Sequence, residues 1–519
     1  MTAVDGDRPR VTPWDHGLVS KLGGLAGARM IAQVLGLGWF LFAARAFDAT
    51  EFGVLSTALV LVVVIGGLSD LGTTRTIVRH AAADRTSLRS SFVRGATLRA
   101  AAGLVLAVVA VALAPLVQDA VAVPVIAMAG IIAVASGLTE IGFAALRSVG
   151  LVGTEARLLV GERLLFVVAG TLVVLAGGGP LAVLVVYAAT NLVSATIVSV
   201  RSLRCPGGAG TPSGPMLDAE GRHTAIGSTL VIVGPRISAL LLVLLATPQV
   251  VGTFSIAQKV PEALGILGAA VLLPVLPMVR AHIVAGRGAA AIHDGGRVTA
   301  TVLAAMVPVA AWLCIDGERA LEVLFGAGDR SGAAATLALL SGVAVLWVLR
   351  TYGEVVLLAQ ERAARYVGAV AAGVVVNLVV GIALVSSSGS VGAAGAALVA
   401  EAAVVVLVFG VLRGSVVAAT RRLFVPVLLL GAGAAVTAVA ARSLPFAVAV
   451  VAAGAWALVG LVVVGLPLLE GRRAASVTPE GTPSGSDGDH TDVGQQARGD
   501  LGRDAIESVE YLAGPTDHL

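Results

Sequence analysis

Charged side chains set inside long apolar runs are the residues of this chain best suited to chemistry, because an ionised group in hydrocarbon persists only beside a partner, a wet cavity or a ligand. In the first run Arg29 and Gln33 lie four residues apart, on one face of a helix. Two readings stand, a buried hydrogen-bonded pair or a cationic face on a cavity, and the lack of a carboxylate within a turn of Arg29 favours the second. Arg236 sits in the middle of the seventh run. Two such cationic helices facing each other would hold a diphosphate. Lys259 with Glu262 (i, i+3) and Arg350 with Glu354 (i, i+4) have the spacing of local ion pairs, and the same residues suit a gate. Glu401 is also embedded, and Glu401 or Glu354 would take up an ion if movement is driven by a gradient. Asp70 and Glu140 lie near the ends of runs, where snorkelling to lipid headgroups accounts for them.

Other chemistries lack their residues. The sequence has no G-x-x-x-x-G-K-[ST] phosphate loop, no H-E-x-x-H, no paired C-x-x-C and no G-x-S-x-G, so no cofactor and no metal centre are expected. Asp5-Gly6-Asp7 and Asp487-Gly488-Asp489 have the form of triplets that hold a metal-bound sugar nucleotide, but both fall in polar terminal segments and read as solvated. A membrane polymerase or glycosyltransferase would need a large water-side loop, and the longest outer connection expected runs only from Asp316 to Gly332. An enzyme is therefore not expected.

The elements that must position these side chains follow from composition. Of 519 residues 57% are hydrophobic and 13% charged, about half the charged share of a soluble domain. Apolar runs of membrane-crossing length recur at roughly 20–43, 53–76, 97–117, 122–144, 158–177, 181–201 and 225–246, then at roughly 252–278, 297–315, 334–357, 364–386, 392–412, 424–441 and 446–468. Runs that are apolar on all sides, such as Val60 to Gly66, exclude the alternating pattern of a β-barrel. The fold class is thus an all-α polytopic membrane protein of about fourteen transmembrane helices.

Arginine placement tests the count. One set of connections carries Arg79, Arg85, Arg89 and Arg94, then Arg201, Arg204 and Arg222, and later Arg421, Arg422, Arg472 and Arg473. The alternate set carries only Arg45, Arg319, Arg330 and Arg442. The positive-inside rule then places both termini in the cytoplasm and the protein in the inner membrane. The net charge of +3 is spread over these connections rather than along one face, so no nucleic acid is expected. Cys205 and Cys314 fall on opposite sides, and no disulfide between them is expected. The polar opening, with Asp5, Asp7 and Asp15, is not a cleavable signal peptide.

Gly53, Ser56 and Ala58 recur as Gly252, Ser255 and Ala257 at the outer starts of the second and eighth helices, a sign of two related halves. The expected organisation is an N-terminal segment 1–18, a lobe 19–202, a linker 203–222, a second lobe 223–413, two extra helices in 414–470 and a disordered tail 471–519. Within the tail Leu501, Ala505, Ile506, Val509 and Leu512 are spaced as one helix face, which is either a fraying remnant or a partner contact.

The segment Ala43-Ala44-Arg45-Ala46-Phe47-Asp48-Ala49-Thr50-Glu51-Phe52-Gly53, followed by Leu68-Ser69-Asp70-Leu71-Gly72 and Arg79, resembles the opening of Wzx-type polysaccharide flippases, members of the multidrug/oligosaccharidyl-lipid/polysaccharide exporter superfamily. The resemblance implies two six-helix lobes around a central cavity and alternating access that moves an undecaprenyl-diphosphate-linked glycan outward. It also implies cavity cations that meet the anionic headgroup, a role carried onto Arg29 and Arg236, with biosynthetic polymerases or glycosyltransferases as partners through the tail. The alternatives are an ion-coupled multidrug antiporter of the same superfamily, which would want an acidic cavity, and a lipid II flippase; a membrane polymerase ranks behind both.

Overall fold

The structure, a computed structural model, describes residues 16–116, 123–205, 227, 229–272, 275–326, 332–412, 415–440 and 446–477. The tail pattern from Leu501 to Leu512, both Asp-Gly-Asp triplets and most of the 203–222 linker lie outside them. Every regular element among the described residues is helical. In chain order these are α1 (His16–Ala46), α2 (Ala49–Ser69), α3 (Thr73–Ala83), α4 (Leu88–Leu113), α5 (Val123–Ser148), α6 (Val152–Leu175) and α7 (Pro180–Leu203). Then come α8 (Thr229–Leu245), α9 (Pro248–Leu272), α10 (Val275–Val284), α11 (Gly288–Phe325), α12 (Ala333–Ala359), α13 (Ala363–Leu412), α14 (Ser415–Ala440) and α15 (Phe446–Val477).

Ten of the described helical segments are long and apolar enough to cross a membrane, and three shorter apolar helices accompany them. One of the ten, α13, is 50 residues long and breaks at Gly389, whose φ of 52° only glycine adopts freely, so it is two spans end to end and the total is fourteen. Outward-facing side chains such as Val105 (61% exposed) and Val406 (70%) would be a liability in water and suit lipid contact.

Local chemistry explains the junctions. α6 ends in a Schellman motif: Gly177 takes φ 81°, the Gly178 N–H donates to the Val173 carbonyl and the Gly177 N–H to that of Val174. Pro180 then opens α7, where its missing N–H costs nothing. The second span is shorter than its hydrophobic pattern predicts. It stops at Ser69 rather than near residue 76, because Leu71 (φ 47°) and Gly72 (φ 73°) turn the chain into the amphipathic α3. The ninth is longer: α11 continues past a break at Asp316 (φ −117°) to Phe325, so the outer connection expected from Asp316 is helical for most of its length. The eighth, expected to end near 278, falls within the segment Pro248–Val284, which holds α9 and α10 and counts as one membrane-crossing span.

α1 to α7 pack among themselves around α5, and α8 to α13 around α12, while α2 against α9 is the broad contact joining the two groups. α14 and α15 lie on α11. A Cβ on Gly460 would stand 2.2 Å from the Ala304 carbonyl oxygen, so α15 meets α11 backbone to backbone, and the Trp312 and Phe446 rings lie 5.6 Å apart.

Candidate functional site: a cationic cavity between two helix groups

At the end of the bundle that is poor in arginine, α2 and α9 touch. A Cβ built on Gly53 would lie 1.9 Å from the Pro248 carbonyl oxygen, and one on Gly252 would lie 3.1 Å from Gly53 Cα. The glycines that mark the internal similarity therefore meet each other. One turn deeper their repeat partners Ser56 and Ser255 border a common cavity, with Phe40, Leu59, Val60, Val63, Arg236, Gln258 and Lys259. Its free volume is about 20 Å³, room for a water-sized guest.

The charge of this cavity is set by three groups. Arg236 donates to Glu262 Oε1 from α8, and Lys259 Nζ donates to Glu262 Oε2 at 3.0 Å. The ammonium also stands 4.9 Å from the centre of the Phe40 ring, a cation–π contact from α9 to α1. Two cations on one carboxylate leave a net charge of +1. Prolines shape both helices here: Pro235 begins the Gly234–Arg236 3-10 turn that aims Arg236, and Pro261 lacks the N–H that would bond the Ala257 carbonyl. The expected Lys259–Glu262 pair forms, and Arg236, 26 positions away, joins it.

A second cluster lies at the opposite, arginine-rich end of α2. Arg99 of α4 is 3% exposed; its Nη1 bonds Asp70 Oδ1 and Thr74 Oγ1, each at 2.9 Å, and its Nη2 bonds Glu140 of α5. Thr74 Oγ1 also donates to Asp70 at 2.7 Å. Asp70 and Glu140 therefore do not snorkel. They neutralise a buried arginine, which burial of a charge requires.

The third cluster joins α12 to α13. Arg350 Nε donates to Glu401 at 2.6 Å, Arg350 Nη1 to the Tyr366 hydroxyl, and that hydroxyl to Glu354 at 2.7 Å. The Arg350–Glu354 separation of 3.7 Å makes the i, i+4 pair the weaker half of the network. Glu354 and Glu401 are thus held in ion pairs in this conformation.

Arg29 is a quarter exposed and lies 3.5 Å from Glu155 on α6, which also meets Arg147 at 3.2 Å. Its acidic partner, missing within its own turn, comes from another helix. Gln33 is half-buried one turn along. Because Glu155 keeps Arg147, an Arg29→Ala variant is expected to lose only about 1–2 kcal/mol, read as a small drop in the melting temperature of the purified protein. A loss of about 3–5 kcal/mol, that of a stranded buried charge, would show that Arg147 does not compensate.

The residues that carried the sequence resemblance have mechanical roles. Arg45 reaches across from α1 to donate to the Val323 and Leu324 carbonyls at the end of α11. Asp48 and Glu51 form a capping box at the start of α2, in which Asp48 accepts from the Thr50 and Glu51 N–H groups at 2.8 Å. Gly53 allows the approach to Pro248, Asp70 holds Arg99, Gly72 makes the turn, and Arg79 is half-buried on α3. Sequence reading passed over Arg99, Glu155 and Arg163. Each is an ionisable residue inside or at the edge of an apolar run, the same signal that singled out Arg29.

A helical bundle with fourteen spans, two packed groups and a charged cavity between them defines a multi-pass membrane protein. The family model described as "Polysaccharide biosynthesis protein" matches residues 42–328, more than half of the chain, and the chain belongs to that Wzx-like flippase family. Among solved structures it is similar to "Lipid II flippase MurJ, inward closed conformation", with a TM-score of 0.68 at 10% identity, over 86% of this chain and 99% of that one. It is also similar to "MATE multidrug transporter DinF-BH in complex with R6G", with a TM-score of 0.52 at 12% identity, over 75% and 95%. At these identities the likeness speaks for the fold. No curated protein matches the sequence.

Proposed function

We propose that this flippase-family transporter moves a polyprenyl-diphosphate-linked oligosaccharide from the cytoplasmic to the outer leaflet by alternating access, in the service of cell-surface polysaccharide synthesis. The observation that carries the reading is the net-positive Arg236–Lys259–Glu262 cluster on the cavity between α2 and α9. A diphosphate is a doubly charged anion whose oxygens suit guanidinium and ammonium donors. The cavity as it stands is too small for such a headgroup, so the helix groups of 19–202 and 223–413, acting as lobes, would have to part to admit it, while the lipid tail stays in the bilayer. In the proposed orientation the arginine-rich end faces the cytoplasm and the protein sits in the inner membrane. A polymerase or glycosyltransferase contacting the segment after Gly471 would receive the product.

A multidrug antiporter of the same superfamily shares the fold but would take cations, which a cavity of charge +1 repels. The lipid II reading differs only in the sugar portion. The test is flipping of a fluorescent polyprenyl-diphosphate oligosaccharide in proteoliposomes by wild type, Arg236→Ala and Lys259→Ala, each checked for folding. Each variant is expected to lose about tenfold to a hundredfold in rate, since a hydrogen bond to a charged group contributes about 1.5–3 kcal/mol. Wild-type flipping that survives both substitutions would remove the cluster from the mechanism.

A further inference from the structure

Glu262 is a poor neighbour for a phosphate. Its two carboxylate oxygens take one donor from Arg236 and one from Lys259, the second at 3.0 Å, and put a negative charge between the two cations that an incoming anion would have to bridge. From this geometry we infer that Glu262 is a tethered counter-anion: it holds the two cations while the cavity is empty, the substrate's diphosphate displaces it, and the displaced carboxylate takes up one proton. The inference rests on the proposed function and adds to it the coupling group and the coupled ion.

With Glu262 in place the site carries +1, and the empty cavity is tolerable beside the apolar Leu59, Val60 and Val63 of α2. When a diphosphate takes over Arg236 and Lys259, it puts at least two negative charges where one stood. An ionised Glu262 would then be left in a low-dielectric cleft without its donors and beside like charge, the situation that drives a carboxyl to its neutral form. The bookkeeping is simple: Glu262–COO⁻ plus H⁺ from the open side gives Glu262–COOH, and no other bond changes. The charged groups acting on Glu262 are Arg236 from α8 and Lys259 from its own helix, and Lys259 in turn feels Arg163 from α6. Other described residues that meet α9 near the site are uncharged ones. α2 offers Ser56, α1 the Phe40 ring, α12 Trp347 against Gly265, and α11 and α12 together Met306 and Val348 against Gly268.

The same arrangement gives a direction to the coupling. Substrate and proton enter the cavity from one side, and release of the diphosphate on the other returns Glu262 to the cations and expels its proton there. A proton gradient directed outward to inward would therefore oppose loading from the cytoplasm, while a high substrate concentration drives both.

The experiment uses the full-length protein in nanodiscs in sodium-free buffer, with farnesyl diphosphate as the probe, between pH 7 and 8.5, where the probe's own titration is small. Wild type is expected to bind more weakly as pH rises, by up to about tenfold per unit for one linked proton. Glu262→Gln, a neutral mimic of the protonated form, is expected to bind about tenfold or more tightly than wild type at pH 8.5 and with a flat pH profile. Calorimetry of wild type in two buffers of different ionisation enthalpy supplies a second reading that needs no variant, and about one proton taken up per ligand is expected. Equal affinity and equal pH slope in wild type and Glu262→Gln, or no proton uptake by wild type, would overturn the inference while leaving the flippase reading intact. No binding of farnesyl diphosphate by wild type at any pH would instead overturn the proposed function, and the inference with it.

Discussion

An Arg99→Met variant is expected to be the most damaging single change in the half formed by α1 to α7, costing about 3–5 kcal/mol. The methionine fills much of the volume, so the loss is electrostatic. Asp70 and Glu140 would remain largely buried with no cation between them, and Thr74 would lose one of its two partners. Removing one member of a buried ion pair costs far more than the pair contributes, because the stranded charge has been taken from water without compensation. The measurement is thermal unfolding followed with a thiol-reactive dye. Cys205 is buried and reports opening of this half, once the exposed Cys314 is replaced by serine. The apparent melting temperature should fall by about 5–10 °C. Adding Asp70→Asn and Glu140→Gln should recover most of the loss, since the stranded charges are then gone. A melting curve unchanged by Arg99→Met would show that the cluster carries no net stability.

The second large effect is conformational. Gly53→Val is expected to drive α2 and α9 apart at the arginine-poor end, because its Cβ would fall 1.9 Å from the Pro248 oxygen and 2.3 Å from the carbonyl carbon, both backbone atoms. No rotamer relieves such an overlap, and overpacking of this kind costs about 1–3 kcal/mol or more. The helices can escape by separating, which would also pull Arg45 from the Val323 and Leu324 carbonyls. The equilibrium should then move toward a state open at that end by about tenfold for each 1.4 kcal/mol. A single cysteine at Val60, which borders the cavity, in a Cys205→Ser, Cys314→Ser background is the reporter. Its reaction with a membrane-impermeant maleimide from the outer face should be at least about tenfold faster in Gly53→Val. Gly252→Ala, whose Cβ would be 3.1 Å from Gly53 Cα, should give a smaller increase. Labelling that is unchanged in both variants would mean that this contact is not the outer closure.

These two effects differ in how far they were legible beforehand. The glycines are visible as an internal similarity, Gly53-x-x-Ser56-x-Ala58 against Gly252-x-x-Ser255-x-Ala257, of the kind expected from two related halves. That they touch, rather than merely correspond, depends on how α2 and α9 stack. Arg99 has its partners 29 and 41 positions away on other helices, so nothing local in the sequence shows what it pairs with, and without it Asp70 and Glu140 look like headgroup residues. Arg29 looks cavity-facing in the sequence for the same reason, its partner Glu155 being on α6.

What residue order alone decided is the class of solution. A chain with 57% hydrophobic residues arranged in membrane-length runs has to satisfy its backbone within each run, so helices, their number and the alternation of arginine between their ends follow from composition and spacing. Local pairs three and four apart, such as Lys259 with Glu262, follow too, since helical geometry brings them to one face. Tertiary structure decided which charge meets which between helices. Arg236 reaches Glu262, Arg350 reaches Glu401 and Tyr366, and Arg45 reaches the end of α11 only because of how the helices are rotated and stacked. Helix rotation is set by the sum of many small packing contacts over the whole surface, small residues such as Gly53, Gly252 and Gly460 among them, and no window of a few residues contains that sum.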